Sequence, residues 1–243
     1  IYTTPTGELL IGSNGRLNPN ATLGYSDGSY YYTPDNWADE TFQNNLRQEY
    51  NINASGGNEK ATYYLAFGYL DDQGVISGSG LTRYNGRFKG DYKLTQWLKV
   101  GANFSYINSQ SRYPAEQDAN ATASSGNAFF VANNIAPVYP MYVRDTDKNI
   151  MLNNGRKVYD YGDGQSTKNS RSFMSIANPA GDLTYNKTEY LMDVINVNWF
   201  AEINPIKGLN VSARFGLNVD NTRYNDLGNA YMGQSASYGG TAY

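Results

Sequence analysis

The chain has 243 residues, 19 Lys plus Arg against 22 Asp plus Glu, a formal net charge of -3, and neither Cys nor His. No basic surface is on offer to a nucleic acid; disulfides, thiolate metal sites, cysteine nucleophiles and the commonest general base are excluded. Mean hydropathy is -0.61, and no apolar run approaches the ~18 residues of a membrane-spanning helix, whereas a membrane β-strand needs apolar residues only at alternate positions.

Residues 1–45 read as a loop region leading into a wall of strands. The first strand, about 46–55, sets Leu46, Gln48, Tyr50, Ile52 and Ala54 on one face and Arg47, Glu49, Asn51, Asn53 and Ser55 on the other. A Gly56-Gly57-Asn58-Glu59-Lys60 turn leads to a second strand, about 61–70, with Ala61, Tyr63, Leu65, Phe67 and Tyr69 on one side. The third, about 82–93, alternates Arg83, Asn85, Arg87, Lys89, Asp91 and Lys93 with Tyr84, Gly86, Phe88, Gly90 and Tyr92. Four cations and an anion on one face suit a water-filled lumen and not a dry core. A short turn precedes the fourth strand, about 97–107.

A long loop, 108–187, follows. Within it Ala128, Val131, Ala132 and Ile135 recur at helical spacing and Pro137 ends the run, which predicts one short helix at about 125–135. Phe129, Phe130, Tyr139 and Tyr142 offer rings for stacking on cargo; the alternative is that they bury the loop against itself. Asp145-Thr146-Asp147-Lys148-Asn149 imitates the start of a calcium loop, but Ile150 and Arg156 stand where that loop needs Gly and Glu. No metal, cofactor or catalytic residue is assigned, since no nucleophile–base pair can be built.

The last hairpin is predicted at about 189–203 and 209–220, turning at Asn204-Pro205-Ile206-Lys207-Gly208. From Leu209 to Asp220 every odd position is apolar and every even one polar, charged or glycine. Residues 222–243 then begin a further loop. Together these features predict an all-β fold: an antiparallel transmembrane β-barrel segment of about six strands, with short turns at one end, long extracellular loops at the other, and one loop helix. Trp97, Trp199 and Tyr92 are expected at the periplasmic rim, and Tyr69, Tyr84 and Tyr106 at the outer one. Six strands fall below the ~8 of the smallest membrane barrels, and no export signal is visible at Ile1, so a slice of a longer barrel is expected.

The ordered words of the sequence carry a resemblance. Tyr32-Thr33-Pro34-Asp35-Asn36-Trp37-Ala38-Asp39-Glu40, then Asn51-Ile52-Asn53-Ala54-Ser55-Gly56-Gly57-Asn58-Glu59-Lys60, Tyr63 to Leu70, Gln73-Gly74-Val75-Ile76, Leu98 to Asn103, Ala136 to Tyr142 and Val158 to Gly162 follow one another. From about Asn18 to Asp220 this series resembles the SusC/RagA family of TonB-linked outer-membrane transporters from Bacteroidetes. The resemblance implies a barrel of ~22 strands holding a plug, a SusD-like lipoprotein lid, and TonB coupling through parts absent from this chain. It also implies glycan or peptide cargo, outer-membrane lipid around the wall, and no nucleic acid.

Within that frame Arg83, Asn85, Asn218 and Asp220 lie nearest the outer mouth, where they meet cargo together with the loop aromatics. Arg87, Lys89, Asp91, Asn196, Asn198, Glu202 and Arg214 are expected to face the plug. Two rivals remain: a non-energised structural or adhesive outer-membrane barrel, and a soluble β-rich carbohydrate-binding module.

Overall fold

A computed structural model describes residues 2–113, 127–175 and 177–228. Its main element is one six-stranded antiparallel sheet in which each strand pairs with its sequence neighbours. The strands are β1 (Arg47–Gly57), β2 (Ala61–Gln73), β3 (Gly80–Lys93), β4 (Leu98–Tyr113), β5 (Lys187–Ile206) and β6 (Leu209–Leu227). Among the described residues β1 and β6 are its two edges, so the sheet is open.

Register carries the alternation of each strand across the whole sheet. Phe88 stands opposite Leu65 and Phe104; Phe104 stands opposite Val197, and Val197 opposite Leu217. All these side chains belong to one face, which is apolar from β1 to β6. Leu65, Phe88, Phe104, Leu217 and Val219 on it are all exposed, as they must be if the solvent on that side is lipid. From Leu98 to Tyr106 the apolar positions cover eight steps, ~27 Å along the strand, or ~20 Å across a membrane at a tilt of about 40°. A soluble module would have to hold this face in water.

Five strands run past their expected ends at the loop side. β4 continues through Asn108–Tyr113 and β6 through Asn221–Leu227. Both faces are polar there, so alternation vanishes while the backbone ladder continues. At the other end the last hairpin is tighter than expected. Ile206 pairs with Leu209, leaving Lys207-Gly208 as the turn, with Gly208 at φ +91. A bulge between Ile203 and Ile206 takes up Pro205, which has no N–H for the ladder. Trp199 also departs from its expected rim position. It faces Ala102 and Phe215 in the middle of the apolar band, its ring 5.6 Å from that of Phe215.

The loops at the far end pack into a second body, with three short helices among the described residues where one was expected. They are α1 (Trp37–Thr41), α2 (Ala128–Asn134) and α3 (Pro179–Tyr185). Each is N-capped by an asparagine (Asn36, Asn127, Asn178) whose side-chain oxygen accepts a first-turn N–H. Pro179 occupies the first helical position of α3, where its missing N–H costs nothing. The helices enclose a core of Trp37, Val131, Ile135, Met141, Tyr142, Tyr159, Tyr161, Met174, Ala177 and Ala180. Thr41 to Leu46 zips onto Gln73 to Ser77 through Ser77 N–H to Thr41 O, Gln43 N–H to Val75 O and Gln73 N–H to Leu46 O, which fastens this body to the β2–β3 connection.

Candidate mouth and polar face

The loop body stands over the polar face of the sheet. At the loop end Leu70, Ser109 and Thr188, all on that face, are 4%, 5% and 7% exposed. Arg83 lies between Leu70 and Ser109 in the register. It is half-buried and its Nε is enclosed without a hydrogen-bond partner. Asn85 is half-buried one row lower, beside Gly68. A Cβ at Gly68 would come within 2.6 Å of both Asn51 and Asn85, so the glycine lets these two amides close over the strand.

Asn218 and Asp220 lie on the same face but on exposed β6. Asp220 shares a row with Asn85 through Val194 and Ile107. Asn218 shares the next row down with Asn196, Ser105 and Arg87. The four expected mouth residues therefore fall into two pairs on one face, Arg83 and Asn85 on β3 and Asn218 and Asp220 on β6, with β4 and β5 between them.

The residues expected to face a plug all occupy the polar face. Arg87 donates from Nε to Asn103 Oδ1 at 3.2 Å. Asp91 accepts from the Thr62 hydroxyl at 2.8 Å and pairs with Lys99 at 3.1 Å, so its charge is already matched within the wall. Lys89 and Asn198 share one row through Asn103; Arg214 faces Phe200, and Glu202 faces Lys99 and Ser212. Phe200 itself lies across Gly101, where a Cβ would meet its ring at 2.3 Å.

The four loop aromatics separate. Tyr142 is 4% exposed and belongs to the loop core, which leaves no ring face for cargo and corrects the stacking role expected of it. Burial, then the neighbouring Glu40 and Asp35, raises its hydroxyl pKa, so the ring stays neutral. Phe130 and Tyr139 are partly buried against the same core. Phe129 alone stands out, 58% exposed, meeting Phe42 edge-on at 5.5 Å. The Asp145 segment forms a tight hairpin: Arg144 bridges Ile150, and Asp145 Oδ1 accepts the Asn149 N–H at 2.9 Å. Lys148 takes φ 71 in that turn.

Buried polar residues hold the loop body in shape, and sequence reasoning missed them. Asp35 and Arg144 form a two-pronged ion pair, Nη2–Oδ1 2.6 Å and Nη1–Oδ2 3.0 Å. Arg171, 7% exposed, donates from Nη2 to the carbonyls of Tyr161 and Ala177 at 2.7 and 2.6 Å. Its guanidinium also lies over the rings of Trp37 and Tyr139, at 5.4 and 5.7 Å. Asn178 is fully buried; it caps α3 and donates to the carbonyls of Met141 and Asp160, each at 2.9 Å. Asp160 beside them has its pKa raised by burial, opposed by the Gly162 N–H and by Arg171. Tyr32 is pushed up to about 12 by burial and by its bond to Asp27. The Asn178-Pro179 pair was the one signal in the sequence that marked part of this network.

No family model matches the chain. TonB-dependent receptor P3 of Formosa agariphila is 26% identical over 220 residues, covering 90% of this chain and 20% of that protein. TonB-dependent receptor SusC of Bacteroides thetaiotaomicron is 25% identical over 107 residues, 44% of this chain and 10% of that protein. Among solved structures, the RagAB peptide transporter superposes with a TM-score of 0.60 at 26% identity, over 82% of this chain and 20% of that one. RagAB in its closed-closed state gives 0.56 at 23% identity, over 83% and 21%. The chain thus spans about a fifth or less of the length of these relatives. The two-faced sheet and these likenesses agree: the chain is SusC/RagA-like, resembling a six-stranded length of wall with its loops in TonB-dependent receptors.

Proposed function

We propose that this chain forms part of the wall and mouth of a TonB-dependent importer that takes oligosaccharides or peptides across the outer membrane. A SusD-like surface lipoprotein would cover the mouth, and TonB would act through regions outside this chain. The long loops then face the cell exterior and the turns of two to four residues face the periplasm, as in other outer-membrane barrels. The observation that carries the reading is the pairing of a polar face with a folded loop body standing over its loop end. Asn51, Asn85, Ser105 and Asn218 on that face supply neutral hydrogen-bond donors and acceptors, suited to hydroxyl- or amide-rich cargo. Phe129 offers a ring at the mouth. Rows nearer the turns, from Lys89 to Glu202, would contact a plug.

Deleting the gene and measuring uptake of labelled oligosaccharides and peptides tests this. Uptake of at least one class should fall, return with the intact gene, and fall equally when TonB is lost. Unchanged uptake of both classes would contradict the proposal. Uptake lost with the gene but indifferent to TonB would favour a non-energised barrel.

A further inference from the structure

Near the loop end of the polar face, three tyrosines from neighbouring strands meet. Tyr190 of β5 stands opposite Tyr224 of β6, with ring centroids 4.8 Å apart and planes tilted by 41°. Tyr113 of β4, one row further out, meets Tyr190 edge-on at 5.7 Å and 86°. The rings therefore make a corner and not a flat platform. Tyr113, Tyr190 and Tyr224 are 55%, 41% and 49% exposed, so they do not fill a core.

Two carboxylates flank the corner. Asp226 shares the row of Tyr113 and Thr188, two residues or about 7 Å beyond Tyr224. Asp220 lies four residues, about 13 Å, to the other side. The Thr188 hydroxyl donates to Asp226 at 2.8 Å and the Thr222 hydroxyl to Asp220 at 3.2 Å. Neither carboxylate is within ion-pair distance of a described cation.

The surrounding charge has the same sign. From the row of Ile107, Val194 and Asp220 outward, the polar face of β4, β5 and β6 holds no Lys or Arg. On β1 to β3, Arg47 and Arg83 are matched in number by Glu49 and Asp72, and the opposite face is balanced at this end. The unmatched negative charge of the wall thus sits on β6, beside the tyrosines. Loop residues 2–46 and 127–186 add ten carboxylates against seven cations. Among those cations Lys148 lies over Tyr31, Arg156 over Tyr185 and Lys157 over Tyr142. No described cation lies over Tyr113 or Tyr190.

We propose that Tyr113, Tyr190 and Tyr224, with Asp226, receive a lysine or arginine side chain of a peptide cargo. A ring face attracts a cation held within about 6 Å of its centroid, and a negative mouth draws cations in from solution. A neutral sugar would stack on one ring face; rings set at right angles beside unmatched carboxylates suit a cation better. The inference rests on the importer reading and narrows its cargo to peptides with basic side chains.

Two fluorescent alanine octapeptides, one carrying two lysines and the other two glutamines in their place, test it by anisotropy on the intact outer-membrane protein. The lysine peptide should bind about tenfold tighter. Tyr190→Leu should remove that preference, and Tyr190→Phe, which keeps the ring, should retain it. Asp226→Asn should weaken binding of the lysine peptide several-fold and leave the glutamine peptide unchanged. Equal binding of the two peptides by the unaltered protein overturns the proposal. So does an undiminished preference in Tyr190→Leu, or displacement of the lysine peptide by an equal concentration of maltoheptaose. Equal binding with TonB-dependent uptake of both peptides would remove the cation site and leave the importer reading standing. Absence of TonB-dependent uptake of any cargo would bring down both. Should Tyr190→Leu fail to insert, Tyr113→Leu, at the most exposed of the three rings, decides.

Discussion

Asp35 and Arg144 lie 109 positions apart in the chain and meet in a two-pronged ion pair, at 2.6 and 3.0 Å, with side chains 13% and 11% exposed. Asp35 also accepts the Met141 N–H at 2.7 Å. One carboxylate therefore ties the approach to β1 to the core of the β4–β5 loop. Removing one partner strands the other charge in a largely buried place. Arg144→Ala should destabilise the loop body by about 3 kcal/mol. Limited proteolysis should then cut within 127–175 many times faster, while the wall keeps its resistance. Equal cutting rates would show the pair to be dispensable.

Gly162→Ala should loosen the same body by another route. Gly162 has φ +66, and a Cβ there would lie 2.1 Å from Arg171 Nε and 2.7 Å from its Cγ. Arg171 cannot move aside without releasing the carbonyls of Tyr161 and Ala177. Strain and lost bonds together should cost about 3 kcal/mol, read as faster amide exchange across 141–178. The Gly7→Ala control has φ +89 but nothing within 4 Å, so it should show backbone strain alone, about 1 kcal/mol.

The pH dependence of the loop has a definite sign. Burial raises the Asp160 pKa above the ordinary aspartate value. Between the unfolded and the folded pKa the native state binds the extra proton, so Asp160's contribution to stability falls as pH rises through that window. Asp160→Asn keeps an acceptor for the Gly162 N–H, at 2.8 Å in the parent, and removes the titration. Loop stability in this variant should lose that fall with pH, as monitored by exchange protection at Tyr161 and Gly162. A fall as steep as in the parent would exclude Asp160 as its source.

Phe129 and Tyr142 should behave oppositely. Phe129→Ala removes an exposed ring and should weaken cargo capture several-fold, about 1 kcal/mol, without altering proteolysis. Tyr142→Ala should cost the loop body about 4 kcal/mol. If Phe129→Ala leaves capture unchanged, the ring has no part in cargo binding.

Much of the wall was legible because lipid on one side and polar surroundings on the other impose period two on every strand. Legibility ended where that contrast ended. Asn108–Tyr113 and Asn221–Leu227 are strands with two polar faces, which no alternation reveals. The stripe Ala128, Val131, Ala132, Ile135 marked α2, but the five residues of α1 are too few to show a period. Asn178-Pro179 was a readable helix start that the surrounding loop composition obscured. The mouth was harder. A tyrosine that stacks on cargo and one that fills a core look alike in sequence, and Tyr142 is told apart from Phe129 only by partners such as Asp35, 107 positions away.

The central claim is that one face of this sheet meets lipid and the other meets the polar interior. Because the chain has no Cys, single cysteines can be placed along Leu209–Asp220 without background and spin-labelled in the intact protein in bilayers. Oxygen accessibility should peak at Val211, Ala213, Phe215, Leu217 and Val219, and accessibility to a water-soluble nickel chelate should be higher at the even positions between them. Uniform chelate access on both faces would contradict a membrane wall.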